Sequence, residues 1–371
     1  MKKNLLVIVI CFELFIVIGC GAKEIQSQTY VTCLGIDFTN GEFIVYTQAL
    51  NFSNIAKQEG TTSLQDVASI FVGESKAKTI QAALNNLEQK AALPFYYGHV
   101  NAILLSENVI KDKMESVIEF IAQNPFLRYN LWLFGTQQDV REILLGESFF
   151  NFPSIYTILH NPKALTKNSF YIPIEEYNKF ISTYYQPIGT YIIPSLSLDD
   201  TNFSEDDKKI NISVVTGGFS FSQQKYKGWV DKEELVGLKW LDKNSTNIPL
   251  SLFEEKVSMI IQNPKTKVEV INGPKPTYRL IVKIHSLLVQ NEGNISNKKI
   301  KIELEDRIKN EILKTLEKSE AIKTDLLNIS ESAYRHHLTQ WDKSTINSFS
   351  KGSIEDIEVR IHIVESINYK R

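Results

Sequence analysis

The segment that decides the fold is GESKAKTIQAALNNLEQKAALPFYYGHVNAILLSENV, residues 73–109. Apolar residues recur through its first half at steps of three or four, namely Ala77, Ile80, Leu84, Leu87 and Ala91. This spacing predicts one face of an amphipathic helix, which we expect to begin at Ser75 and to stop near Pro94. The second half contains HVNAILLSE (99–107), whose apolar run predicts a buried strand.

The sequence before this segment predicts a β-hairpin. Residues 29–37 and 43–48 alternate and are rich in β-branched and aromatic side chains, and Asn40-Gly41 between them favours a tight turn. The polar stretch 51–66 lacks periodicity and predicts a loop.

The sequence after it continues the alternation of helices and strands. We expect a helix over 109–122, a strand at YNLWLFG (129–135), and a short helix that Asp139 caps and that runs through Leu145. This alternation predicts an N-terminal mixed α/β domain over residues 20–146.

The remainder of the chain divides into two further parts. Residues 147–206 are irregular and rich in aromatic residues and proline, and an acidic run closes them, so we expect a linker or a small domain. Residues 207–371 predict a C-terminal α+β domain. Its expected strands cover 210–222, 257–262, 267–271, 278–290 and 354–364, with turns at Asn263-Pro264 and Asn272-Gly273-Pro274.

The clearest predicted helix lies in this last part, over residues 300–316. Its apolar residues Leu304, Ile308, Ile312 and Leu316 follow strict steps of four, and its charged positions predict a largely solvated face. The fold class expected for the whole chain is α+β, with mixed sheets flanked by helices in two or three domains.

The N-terminus has the organisation of a lipoprotein signal peptide. Two lysines precede an apolar run from Leu5 to Ile18, which is too short for a spanning helix and contains Glu13. The chain becomes polar immediately after Cys20, and IVIGCGAKEI (16–25) resembles a bacterial lipobox. We therefore expect residues 1–19 to be removed and Cys20 to carry the lipid. The alternative is an uncleaved signal anchor with an incidental cysteine.

Composition and cysteine content limit the other possibilities. Cys11 would be lost with the signal peptide and Cys20 acylated, so Cys33 would remain as a free thiol without a disulfide partner. The 41 basic and 43 acidic residues give a net charge of −2, so no general attraction to nucleic acid or to an anionic lipid surface is expected, and any membrane attachment must be local.

No catalytic signature emerges from the sequence. The six histidines lack zinc-ligand spacing, and His336 and His337, as neighbours in a helix, would point in different directions. No Walker A, G-x-G-x-x-G or G-x-S-x-G motif is present. We therefore expect a protein without catalytic, metal-binding or cofactor-binding residues, and without a cofactor.

The order of these segments resembles the Ger(x)C family, the C-subunit lipoproteins of bacterial spore nutrient-germinant receptors. The resemblance rests on CGAKEIQSQTYVTCLGIDF (20–38), the 73–109 segment and NPFLRYNLWLFGTQQDVREILLGES (124–148). It extends more loosely through GWVDKEELVGLKWL (228–241) and KTDLLNISESAYRHH (323–337).

The resemblance implies a non-enzymatic subunit, held by its lipid on the outer face of the inner spore membrane. It further implies three mixed α/β domains, integral-membrane partners of the A and B types, and a role in the response to nutrient germinants. Direct binding of a small-molecule germinant is possible on this basis but is not implied.

Two other classes of protein compete with this interpretation. A solute-binding lipoprotein of a membrane transporter would need two α/β lobes around a cleft, and the required alternation is missing from residues 206–371. An exported cell-wall hydrolase would need a nucleophile or a metal site, for which the sequence offers no candidate.

Overall fold

The computed structural model of the protein describes residues 28–50, 70–165, 172–242 and 245–365. Its strands are β1 Thr29–Thr39, β2 Glu42–Leu50, β3 Phe71–Ala77, β4 Phe95–Tyr96, β5 Ala102–Ser106, β6 Trp132–Thr136, β7 Thr190–Asp199, β8 Ser204–Glu205, β9 Lys208–Lys209, β10 Ile212–Ser222, β11 Lys225–Asp231, β12 Ile248–Leu252, β13 Val257–Ile271, β14 Thr277–Asn291 and β15 Ile354–Glu365.

The helices differ widely in length. They are α1 Ile80–Glu88, α2 Glu107–Asp112, α3 Met114–Gln123, α4 Val140–Leu144, α5 Pro162–Leu165, α6 Tyr177–Tyr184, α7 Leu238–Leu241, α8 Asn297–Ala321, α9 Glu331–His336 and α10 Lys343–Asn347. Short 3₁₀ turns lie at Phe149–Asn151, Ser154–Tyr156 and Lys351–Ser353.

The described strands form two mixed sheets and one small hairpin. The large sheet has nine strands in the order β11-β10-β7-β6-β5-β1-β2-β3, with β4 beside β1. Its centre, β1, β5, β6 and β7, is parallel, and both flanks are antiparallel. The second sheet has the order β12-β13-β14-β15, with β14 and β15 parallel. The α+β fold class with mixed sheets and flanking helices is confirmed.

Several local predictions are confirmed. Strands β1 and β2 form the hairpin around Asn40-Gly41, where both residues have positive φ. The Asp139 carboxylate caps α4, accepting hydrogen bonds from the amides of Arg141 and Glu142 at 2.7 and 3.3 Å. The four apolar residues predicted on one face of α8 are all fully buried. The predicted loop at 51–66 lies outside the described residues.

The predicted start of the first helix is wrong. Residues Phe71–Ala77 form β3, which pairs antiparallel with β2, so that Phe71 faces Ala49 and Ala77 faces Phe43. The helix begins at Ile80, after the Thr79 hydroxyl accepts a hydrogen bond from the amide of Ala82 at 3.2 Å. Pairing with an open sheet edge therefore overrides the helical spacing, which extended back to Ala77.

Two further boundaries differ from expectation. The helix expected over 109–122 is two helices, α2 and α3, separated at Lys113, where φ is −134°. The two strands expected on either side of Asn263-Pro264 are one strand, β13, whose pairing with β14 is interrupted between Gln262 and Lys265. A bulge at this position accommodates the proline, which has no amide hydrogen to donate to the ladder.

The large sheet continues past the boundary expected at residue 206. Strand β7, from the expected middle segment, pairs with β10, from the expected C-terminal domain, over the residues from Thr190 to Asp199. The hairpin of β8 and β9 projects between them. The domain boundaries expected from the sequence therefore remain a prediction.

Both faces of the large sheet are covered by packed side chains. One face packs against α1, α2, α3 and α6, through residues such as Leu84, Val117 and Phe180. The other face packs against α4 and belongs to a hydrophobic core that continues into the second sheet and α8. All five residues of β5 are buried, as expected for a parallel strand covered on both faces.

Candidate functional site

The predicted lipidation site, Cys20, lies outside the described residues, but the place where the chain following it enters the fold is described. Thr29 opens β1, and its amide donates a hydrogen bond to the Pro94 carbonyl at 2.9 Å. Strands β5 and β6 run parallel to β1, so all three begin at the same edge of the large sheet. We call this the N-terminal edge; a chain tethered at Cys20 would be held from it.

A buried polar cluster lies near this edge, centred on His160. The ring nitrogen Nε2 lies 2.6 Å from the Gln48 side-chain oxygen, and Nδ1 lies 2.5 Å from the Asn101 side-chain oxygen. Burial disfavours the charged imidazolium and lowers the pKa of His160 to about 4. The Gln48 amide nitrogen donates to the Leu144 carbonyl at 2.6 Å, which links the cluster to α4.

This cluster is suited to structure rather than to acid–base chemistry. A neutral imidazole has a single N–H, so it can donate to one of the two amide oxygens. A half-turn of the Asn101 amide would let it donate to the ring instead, at the expense of its 3.4 Å bond to the His160 carbonyl. The cluster therefore ties the segment before α5 to β2 and β5.

A second buried cluster joins α8 to α7 through Glu311. Its carboxylate lies 2.6 Å from the Lys239 ammonium and 2.5 Å from Nε of Arg307. The indole N–H of Trp240 donates to it at 2.8 Å. Burial lowers the pKa of Lys239, and the adjacent Glu311 charge opposes that shift. Most charged positions of α8 are exposed as expected, but Glu311 is an exception that helical spacing could not identify.

Two open depressions adjoin each other between α6 and the second half of the chain. The larger is about 520 Å³ and includes Trp132, Lys163 and Asp242 in its wall. The smaller is about 180 Å³ and includes Thr190, Asn328 and Arg335. The Asn328 side chain is already engaged, accepting from the Thr190 amide at 2.6 Å and donating to its carbonyl at 2.9 Å. This depression is therefore part of a structural junction.

The histidine and cysteine side chains of the described residues do not assemble into a metal centre. In these ranges no group of three or more His, Cys, Asp and Glu side chains is placed to hold an ion. His285 and His362 face each other on β14 and β15 with ring centroids 5.5 Å apart, a pairing that sequence spacing could not reveal. Cys33 is a buried free thiol, and burial raises its pKa.

The helices of the described residues fall short of a membrane span in length or in hydropathy. No helix there is both long enough and apolar enough to cross a bilayer. The longest, α8, has an apolar stripe on one side and charged residues on the other.

Comparisons with known proteins match nearly the whole chain. Residues 21–198 match the family described as "Spore germination protein N-terminal domain", and residues 216–369 match "Spore germination B3/ GerAC like, C-terminal". The chain is 21% identical to "Spore germination protein KC" of Bacillus subtilis (strain 168), over 92% of this chain and 90% of that protein.

A solved structure shares the fold. The "Crystal Structure of the GerBC protein" superposes with a TM-score of 0.52 at 17% identity, covering 90% of this chain and 97% of that chain. At this level of identity the comparison shows only that the two proteins have a similar arrangement of sheets and helices.

Proposed function

The chain belongs to the GerAC-like family of spore germination proteins, since the two halves of that family match it in order, and we infer from this that it is the C subunit of a germinant receptor. The observation that carries the inference is the consecutive match of both parts, over residues 21–198 and 216–369. The Ger(x)C resemblance noted in the sequence is thereby confirmed. Nothing in the matched descriptions favours a solute-binding protein of a transporter.

We propose that Cys20 is the lipidated first residue of the mature chain. Three observations support this: the short apolar run before it, the polar sequence after it, and the start of the family match at residue 21. Two or more acyl chains on one cysteine would hold the protein stably, because a single chain binds membranes only marginally.

The subunit would then act beside integral-membrane partners of the A and B types, on the outer face of the inner spore membrane. Its role would be non-enzymatic. The two buried polar clusters support such a role, because His160 and Glu311 are engaged by neighbouring side chains that position elements of the fold.

The test replaces the chain in spores by variants at two cysteines. Deletion of the protein is expected to reduce germination in response to the nutrients that its receptor senses. Restoring the wild-type chain or Cys11→Ala is expected to recover the response, since Cys11 lies in the segment that would be removed. Cys20→Ala is expected to leave the protein in the soluble fraction and to lower the response.

Two results would contradict these proposals separately. A membrane-bound wild-type protein whose Cys20 carries no acyl chain, as measured by mass spectrometry of the N-terminal peptide, would exclude the lipid anchor. Spores that lack the protein but germinate normally with every nutrient tested would argue against the receptor role, whatever the anchor.

A further inference from the structure

Exposed apolar side chains gather at both ends of the large sheet, and the group at the N-terminal edge lies nearest the chain that follows Cys20. Five of them, 42–61% exposed, form what we call the N-terminal rim: Phe71, Leu93, Tyr96, Phe126 and Tyr129. Four of the five are aromatic rings in short connecting segments or at strand ends. Isolated exposed apolar residues are ordinary, but a group gathered at one end of a sheet indicates a contact surface.

Strand pairing places these residues along one end of the large sheet. Phe71 opens β3 opposite Ala49, at the end of β2, and Tyr96 lies in β4 with its ring 5.7 Å from that of Tyr30. Phe126 and Tyr129 lie in the connection from α3 into β6, whose first amide, that of Trp132, donates to the Asn101 carbonyl at 2.7 Å. The rim therefore follows the end of the sheet where β1, β5 and β6 begin.

Two of the three rim segments carry basic side chains and no acidic ones. The stretches 89–101 and 124–131 contain Lys90 and Arg128 and no aspartate or glutamate. In β3, which begins at Phe71, Glu74 lies 3.8 Å from Lys76. Glu88, directly before the first stretch, accepts a hydrogen bond from the Tyr97 hydroxyl at 2.6 Å. The nearby Glu176 is paired with Lys163 at 3.4 Å. Basic and aromatic side chains at one edge are complementary to a surface with an anionic outer layer and an apolar layer beneath it.

The length of chain before β1 limits what can cover the rim. Residues 21–28 separate Cys20 from Thr29. Eight fully extended residues span at most about 29 Å. A lipid on Cys20 would therefore keep the N-terminal edge within that distance of the bilayer, and this edge is the part of the sheet that the tether brings closest.

We propose that the N-terminal rim lies against an anionic phospholipid bilayer, with its phenyl and leucine side chains at the boundary between headgroups and acyl chains. Tyr96 and Tyr129 have amphipathic rings, which favour this interfacial depth. Lys90 and Arg128 would contact lipid phosphates, since basic residues near an anionic leaflet are attracted to it. The inference rests on the proposed lipid attachment at Cys20.

The opposite end of the sheet supplies a matched control. Phe149, Phe150, Phe152 and Phe203 form an exposed aromatic cluster, with ring centroids 4.9–6.3 Å apart, around the C-terminal end of β7. Phe150 is 75% exposed, more than any residue of the rim. Because β7 runs parallel to β6, this cluster lies away from the bilayer if the rim faces it.

The experiment measures depth in the membrane at these two places. Phe126→Cys and Phe150→Cys are made separately in the full lipidated chain, labelled with a fluorophore, and reconstituted in vesicles of equal parts phosphatidylglycerol and phosphatidylethanolamine. Cys33 is buried and the acylated Cys20 has no free thiol, so each variant carries one reactive label. Brominated acyl chains are expected to quench the label at 126 several-fold more than the label at 150.

The charges are tested in the same assay. Lys90→Gln combined with Arg128→Gln is expected to reduce quenching at 126 in vesicles with phosphatidylglycerol and to leave it unchanged in neutral phosphatidylcholine. Equal reduction in both lipids would remove the electrostatic part of the proposal.

The outcomes of this experiment test the rim contact and the lipid anchor separately. A chain that stays on the vesicles with its label at 126 quenched no more than that at 150 would overturn the proposed rim contact and leave the anchor intact. Shielding of 126 only after the membrane subunits are added would also overturn it, in favour of a protein contact. Release of the chain by washing would exclude the anchor and the rim contact with it.

Discussion

His160 connects three parts of the chain that are far apart in sequence. Its ring lies between Gln48 at the end of β2 and Asn101 at the start of β5, and the ring is almost wholly buried. The sequence identified His160 as one of six histidines without a ligand pattern. No periodicity could have found its partners, because contacts between residues this far apart are determined by the order of the strands.

The buried imidazole predicts that stability falls in mild acid. Its pKa is about 4 in the folded protein against 6.5 when solvated, so the unfolded chain binds the proton more readily between these values. As pH falls from 6.5 to 4, this group alone should lower the free energy of unfolding by up to about 1.4 kcal/mol per pH unit. Urea unfolding at several pH values, compared with His160→Gln, measures this contribution.

The variant His160→Gln should have a flatter dependence over the same pH range, since glutamine does not titrate. Parallel curves for the wild type and the variant would show that His160 does not contribute to the acid sensitivity.

Helix α8 shows what a sequence pattern can and cannot predict about a single element. Its apolar stripe was predicted because steps of four repeat through Leu304, Ile308, Ile312 and Leu316. The buried Glu311 was missed because its partners Lys239 and Trp240 come from a different element. The spacing of apolar residues along a helix identifies its buried face. It does not identify a polar residue on that face whose partners come from another element.

Removing the Glu311 carboxylate should weaken the attachment of α8 to α7. Glu311→Ala leaves the Lys239 ammonium buried without its partner, and breaking a buried ion pair in this way costs about 3–5 kcal/mol. We expect a loss of that order in the free energy of unfolding, measured by urea denaturation.

Glu303→Ala on the exposed side of the same helix provides the control and should change stability by less than about 0.5 kcal/mol. Similar losses for both variants would mean that the helix itself, rather than the buried pair, determines the effect.

The same limit explains the error in the segment 73–109. Its residues from Ala77 onward have helical spacing, but β2 offers an unpaired edge to Phe71–Ala77, and the backbone hydrogen bonds of that pairing prevail. Residues after Thr79 have no such partner strand and form the helix, which ends at Glu88, earlier than the end expected near Pro94.

At the scale of the molecule, the two sheets share one hydrophobic core. Buried residues continue from Ala102 and Leu104 in the large sheet to Val282 and Ile284 in the second. Hydrogen bonds between Thr190 and Asn328 add polar contacts across the same junction. Composition shifts suggested a boundary near residue 206 because the polar, acidic hairpin there resembles a linker, although it projects from a continuous sheet.

The shared core predicts that both sheets unfold together. Native-state hydrogen exchange should give similar opening free energies for the amides of β5 and for those at the centre of β14, approaching the global value in both. Exchange of β14 at clearly lower denaturant than β5 would show that the second sheet opens as an independent unit.

The entry of the chain at Thr29 has a consequence for how affinity should be measured. If Cys20 carries the proposed lipid, the eight residues between it and Thr29 would confine the protein to a thin layer at the membrane. A membrane-bound partner would then encounter it at an effective concentration on the order of millimolar. A contact with a dissociation constant of about 100 μM would then be largely occupied in the spore. Binding through the same contact would be barely detectable between dilute subunits without a membrane tether. A weak interface is therefore sufficient in the tethered complex.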